Sequence, residues 1–269
     1  MKKKRTWLWG SLAALAGVVF LILLWWLISA ILQKQGNELL PYPYDTFLVL
    51  LSSLFGQGAG DTYIALGWTI ARLLIGFSIA FIVGAILGSL GGLWKLAGKF
   101  MAPGVALCRT VPTAAVVILL VGIFYQYNLL SPYIPSFLVF LVAFPLVYEA
   151  FRQGINEESQ DTKDALALDC GAHSLKALVH VYWPDSISYI LLAIVQSLGL
   201  SLKVSVMSEI LVNSSGANGG LGGLIQNARQ YLDMKSVIAY SLVAVILIGI
   251  LDIPLFFLKR SLKKHLEGK

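Results

Sequence analysis

Long apolar runs alternate with short polar segments along the chain, and the apolar runs set its architecture. The first spans Trp7 to Leu32, and the second about Ile64 to Trp94, where Arg72 is the one charge. About Pro103 to Tyr125, Tyr133 to Phe151, Ser186 to Val212 and Ser236 to Leu258 complete a set of six. Each run, as a helix rising about 1.5 Å per residue, can cross a hydrocarbon core of about 30 Å. The pattern predicts an all-α polytopic membrane protein with six transmembrane helices. Its most polar stretch, Asp164 to Pro184, lies between the fourth and fifth runs. There Asp169, His173, Lys176 and His180 fall at i, i+4, i+7 and i+11, and Leu168, Ala172, Leu175 and Val179 repeat that spacing one residue earlier. One amphipathic helix ended by Pro184 is expected, with a face free to dock on a soluble partner.

Composition agrees with the pattern. Hydrophobic residues make up 58% of the 269 and charged ones only 13%, which excludes a soluble domain. A net charge of +6 would suit nucleic acid, but the placement of the charges argues for membrane topology. With the N-terminus in the cytoplasm, 14 of the 20 basic residues fall on the inner side. Lys34, Arg229 and Lys235 fall outside, and Arg72, Arg109 and Lys203 within spans. By the positive-inside rule both termini and the Asp164–Pro184 stretch are cytoplasmic. Lys2-Lys3-Lys4-Arg5 leads into a run too long for a signal-peptide core and without a small-residue cleavage site, so a retained helix is expected. Cys108 and Cys170 lie far apart and outside metal-ligand spacing, so no disulfide framework is expected.

Polar and small residues inside the spans carry the candidate chemistry. Gly76, Ala80, Gly84 and Gly88 recur every four residues, then Gly91, a spacing that lets helices approach closely in lipid. Packing within one subunit is preferred to a dimer seam. Arg109 precedes Pro112 in the third span, and Pro145 lies in the fourth; each proline favours a bend, either a static kink or a pivot for a rocking helix. Ser197, Ser201, Ser205 and Ser208 form one stripe of the fifth span, flanked by Glu209, with Gln196 and Lys203 on a different face. The serines are expected to line a translocation pathway. Lys203 either attracts an anion there or pairs with an acid on a neighbouring span, since charge this deep in lipid needs water or a partner.

Enzyme chemistry is missing. No Gly-x-x-x-x-Gly-Lys-Ser/Thr sequence occurs, so no P-loop for ATP is expected. His173 and His180 are seven apart, unlike a metal pair, and solvated residues are the better expectation. No Ser-His-acid set stands out.

Ala165-Leu166-Ala167, then Gly171, then Val181-Tyr182-Trp183-Pro184 resembles the EAA loop of bacterial ABC importer permeases, with Gly and Pro in register. The family's Glu falls on Ala165, with Asp164 one residue earlier, and its Leu on Trp183. Leu40-Pro41-Tyr42-Pro43 resembles the family's Leu-Pro-x-Pro turn, with a short interfacial helix expected after it. Ser214 to Ile225 resembles its glycine loop, and Leu66 to Pro112 looks like its nitrate/sulfonate/taurine branch. The resemblance implies a type I ABC importer permease fold in the bacterial cytoplasmic membrane. It implies a first helix and external segment over residues 1–60, a five-helix core over 61–258 with a coupling helix at about 161–184, and a basic tail over 259–269.

Two copies would pair, each offering its coupling helix to an ABC ATPase subunit, which carries the ATP and Mg²⁺; no cofactor belongs to the chain itself. The implied coupling residues are Asp164, Ala165, Ala167, Leu168, Gly171, Ala172, His173 and Pro184. The implied pathway residues are Arg109, Pro112, Ser197, Ser201, Lys203, Ser205, Ser208 and Glu209. An external substrate-binding protein would deliver a small polar or anionic solute near Leu40–Phe55 and Ser214–Ile225. A thiamine pyrimidine is the alternative cargo. An ion-coupled secondary transporter is a weaker alternative, because no inverted repeat of broken helices is seen between the halves. A membrane enzyme would need a catalytic set that is not found.

Overall fold

The computed structural model describes the backbone of residues 2–36, 39–127, 131–169, 171–212 and 216–267. It describes the side chains of these except 2–11, 14, 125–127, 131 and 252–267. The side chains of the tail 259–269, and Cys170, Ser214 and Ser215 of the sequence motifs, therefore lie outside the described residues.

The apolar runs form helices, and most of the long ones overrun the expected bounds. α1 (Lys2–Lys34) leaves almost all its described side chains exposed in this protomer and is tied to the chain beyond it by polar contacts. Trp25 Nε1 donates to Pro41 O at 3.1 Å and Ser29 Oγ to Leu40 O at 2.7 Å. α2 (Pro43–Phe55) is the expected short helix, with proline at its first position, where a missing N–H costs nothing. α3 (Ala59–Leu93) follows, about 52 Å long at the usual rise.

The third run is not a single straight span. α4 (Lys95–Thr110) carries Pro103 inside it and stops at Thr110; α5 (Thr113–Tyr127) then leaves at 90°. Pro112 is the cause: its ring forces Val111 into extended backbone, at φ −68° and ψ 126°. With that bent pair taken as one span, six helical spans are present among the described residues. α6 (Ile134–Asn156) stays one helix through Pro145.

α6 lies alongside α3 in the same direction. A Cβ on Gly76 would collide with the Ser136 carbonyl, on Gly84 with Val147, and on Gly88 with the Tyr148 carbonyl. The small-residue stripe is therefore the internal seam between α3 and α6, as preferred from the sequence. Phe81, Phe151 and Trp183 extend the seam through edge-on ring contacts at 5.8 Å.

The Asp164–Pro184 stretch corrects the expectation of one helix. α7 (Gln160–Asp169) ends at Gly171, whose φ of +87° lies in the left-handed region that glycine adopts freely. Gly171 N closes the turn on Leu166 O at 2.7 Å. The chain restarts with Ser174 as N-cap, its Oγ accepting from Ala177 N at 3.1 Å, into α8 (Leu175–Ala177). A π turn (Leu178–Tyr182) and α9 (Trp183–Asp185) lead into α10 (Ile187–Val212). The wider turn precedes Pro184, which has no N–H to give, and Trp183 N reaches back five residues to Leu178 O. α10 runs antiparallel to α6, with Gly154 against Ser186 at one end and Val212 clustered with Ile134 and Leu138 at the other. α11 (Gly220–Gln230) and α12 (Met234–Glu267) complete the fold.

Candidate functional site

At one end of the bundle the helix–turn–helix from α7 to α9 is set on a small core of its own. Ile155, Leu166, Ala177, Leu178 and Tyr182 are buried together. Tyr182 OH donates to Ala172 O at 3.2 Å, and Trp183 Nε1 to Ser89 Oγ of α3 at 3.1 Å. Trp183, standing where the family has Leu, thus anchors the element to α3. The His173 ring stacks on Trp94, with centroids 6.5 Å apart and planes within 5°.

Anchoring on one side leaves apolar side chains on the other. Leu168 is 91% exposed and Leu175 78%, with Val179 exposed beside them. Ala165 and Ala167 are exposed too, while Ala172 is half-buried. Two leucines this bare at a polar end of the bundle form an exposed apolar patch of the kind that marks interaction surfaces. The predicted polar stripe does not survive: the Gly171 turn takes Asp169 off the helix that carries Lys176 and His180. Asp164 accepts from Gln160 Nε2 at 2.8 Å and, with Lys95, Lys163 and His173, lines a cavity of about 470 Å³ behind the element. Pro184 is exposed in α9.

The serine stripe of α10 turns inward within this protomer. Ser197, Ser201, Ser205, Ser208 and Glu209 are all buried within the protomer. Ser197 Oγ donates to Ala193 O at 2.6 Å and Ser208 Oγ to Ser205 O at 2.8 Å, back into their own helix. The exposed face of α10 is instead Gln196, Leu200, Lys203, Met207 and Leu211, at i, i+4, i+7, i+11 and i+15. Two cavities adjoin that face. One, of about 300 Å³, is lined by Cys108, Arg109, Val111, Thr113, Pro145, Leu146 and Leu200, among others. The second, of about 170 Å³, shares Arg109 and Leu146 and adds Glu149, Gln153, Tyr189 and Gln196. Arg109 and Pro112 are both exposed at the α4–α5 break. Arg152 and Glu149, near the C-terminal end of α6, pair at 3.1 Å.

Glu209 belongs to a group that sequence reasoning did not assemble. Arg72 Nη1 of α3 meets its Oε1 at 3.0 Å, and both side chains are buried. Thr69 Oγ1 donates to Oε2 at 2.9 Å, and Gly222 N to the same oxygen at 3.2 Å. Leu221 N donates in turn to Thr69 Oγ1 at 3.0 Å. Arg72 Nη2 reaches Asn218 O at 2.6 Å, and Trp68 Nε1 reaches Asn218 Oδ1 at 3.1 Å. The signal was present: one lone cation in the second span and a lone carboxylate in the fifth, each too costly in lipid to leave without a partner.

Comparison with known proteins places this architecture. Residues 80–268 match the model of the family described as the binding-protein-dependent transport system inner membrane component. The chain belongs to that family. It is a non-enzymatic, multi-pass permease subunit of an ABC importer in a bacterial inner membrane, working with an ATPase and a substrate-binding protein. A probable ABC transporter permease protein of Brucella melitensis is 28% identical over 85% of each chain. The bicarbonate transport system permease protein of Synechococcus elongatus is 28% identical, covering 93% of this permease and 87% of its own length. The taurine transport system permease protein of Escherichia coli is 27% identical over 94% and 87%. Among solved structures, the inward-facing MetNI methionine ABC transporter matches with a TM-score of 0.55 at 17% identity, covering 76% of this permease and 95% of that chain. That likeness supports the fold alone.

Proposed function

We propose that this permease imports a small anion as a homodimer, with both termini and the α7–α9 element in the cytoplasm. The basic residues support that orientation, since 14 of 20 lie on the inner side under it. Partner ATPase subunits, which hold the ATP and Mg²⁺, seat against Leu168, Leu175 and Val179. The binding protein docks at the opposite end, near α2 and the segment around α11. The translocation path follows the exposed face of α10.

One observation carries the substrate class: Arg109 lines both cavities beside that face, and Lys203 stands on the same stripe as Leu200 and Gln196, which line one cavity each. Two cations, one on that face and one on the cavities beside it, suit a negatively charged cargo in a watered path between two copies. The relatives named for taurine and bicarbonate handle solutes with an anionic group, which agrees. Taurine, bicarbonate and nitrate uptake into proteoliposomes holding the full complex tests this. Arg109→Ala and Lys203→Ala are each expected to lower uptake roughly tenfold, the worth of one charge-assisted contact, with assembly intact. Unchanged uptake in both variants, or transport confined to a neutral pyrimidine, contradicts it.

A further inference from the structure

The Glu209 group joins three separate segments and does nothing else visible. Every hydrogen bond in it crosses from one element to another: α3 gives Trp68, Thr69 and Arg72, α10 gives Glu209, and the segment entering α11 gives Asn218, Leu221 and Gly222. Thr69 is the pivot, since its one hydroxyl donates to Glu209 and accepts from Leu221 N. The backbone is shaped to let the carboxylate in. Gly220 has φ +78°, and a Cβ on Gly220 or Gly222 would collide with Glu209. Of the free N–H groups in the first turn of α11, that of Gly222 ends on an anion supplied by another helix and that of Leu221 on the hydroxyl bound to it, which also suits the helix dipole.

We infer that Thr69, Arg72 and Glu209 are positioning residues that weld the 217–222 segment and α11 to α3 and α10, so that this wall of the outer mouth moves as one rigid body with α10. At its other end α10 continues from the α7–α9 docking element, separated from α9 only by Ser186, whose Oγ donates to Tyr182 O at 2.6 Å. Displacement of the docking element is thereby delivered along a single helix to the mouth. A flexible loop would dissipate that displacement; a weld with both carboxylate oxygens occupied transmits it.

This rests on the permease acting with an ATPase, and the test separates the two ideas. The permease–ATPase complex in nanodiscs is measured nucleotide-free and trapped with ATP and vanadate, following hydrogen exchange of residues 217–224 together with ATP hydrolysis. In the parent protein the Leu221 and Gly222 amides are expected to stay equally protected in both states. Thr69→Val, which keeps the shape and removes the hydroxyl, is expected to speed their exchange at least tenfold while hydrolysis stays within twofold. Thr69→Ser is expected to restore protection. Loss of protection on trapping in the parent protein, or Thr69→Val with unchanged exchange, overturns the weld. Loss of hydrolysis in step with protection in Thr69→Val, without recovery in Thr69→Ser, also overturns it, because it marks a merely structural role. Absence of hydrolysis in the parent complex refutes the partnership instead, while the nucleotide-free exchange data still decide the weld.

Discussion

α3 is held to two of its neighbours, α6 and α10, by opposite means. Against α6 it presents Gly76, Ala80, Gly84 and Gly88, and the two backbones meet with nothing between them. Against α10 it presents Thr69 and Arg72, and a buried carboxylate collects three hydrogen bonds. In lipid the hydrophobic effect does not press helices together, so a contact must come from close van der Waals fit or from polar groups that have no other partner. The seam uses the first and the Glu209 group the second. The seam is sensitive above all to added size, and the polar group above all to a charge left without its counterpart.

That contrast can be broken from the polar side first. Glu209→Ala leaves Arg72 as an uncompensated buried charge and is expected to cost about 3–5 kcal/mol, read as loss of thermal stability in detergent. Replacing both residues with apolar ones of similar volume, Arg72→Met with Glu209→Met, is expected to recover most of that loss. A double variant as unstable as the single one contradicts the reading. Gly76→Val comes next: overpacking of about 1–3 kcal/mol, with no second substitution able to relieve it, because the obstacle is the Ser136 backbone. Tolerance of valine there would mean that the seam is loose.

The smallest effect sharpens the comparison by moving the same chemistry into water. Glu157, just past the end of α6, accepts from Tyr189 OH and from Gln153 Nε2. The Tyr189 bond first, then that from Gln153, holds its carboxyl below the usual value of 4.5. A depressed carboxylate stabilises the fold above its ordinary range, and that contribution is lost as pH falls through the lowered value. Because Glu157 is exposed, the loss on acidification is expected to stay under about 1 kcal/mol. Glu157→Gln should then flatten the acid limb of stability only slightly, and a large change would contradict the contrast with the buried pair.

Hydropathy was enough to read the spans, because length and apolarity are what a bilayer demands. It was not enough to orient their faces. On α10 the serines and Glu209 are buried among Leu202, Val206 and Val212, and the exposed stripe mixes Leu200, Met207 and Leu211 with Gln196 and Lys203. Lipid accepts leucine as readily as a protein core does, so polarity alone does not separate a cavity-lining face from a buried seam. The seam glycines were legible for a different reason: close approach excludes every larger side chain. Breaks within helices were partly visible. Pro112 signalled a bend, but not that α4 begins eight residues before the expected start at Pro103 and meets α5 at a right angle. The Gly171 turn was hidden, because helical spacing on both sides of it reads as one continuous helix. Arg72 and Glu209, 137 residues apart, could be joined only by asking where each lone charge finds its counterpart.

The most direct measurement is site-specific cross-linking from the α7–α9 element. Leu168→Cys and Leu175→Cys, in a background with Cys108 and Cys170 replaced by serine, are to be tested in intact cells and in the purified complex. Cross-links to the ATPase subunit, with no labelling by a membrane-impermeant maleimide added outside, are the expected result. Labelling from outside, or no contact with any ATPase at either position, would contradict a cytoplasmic docking element.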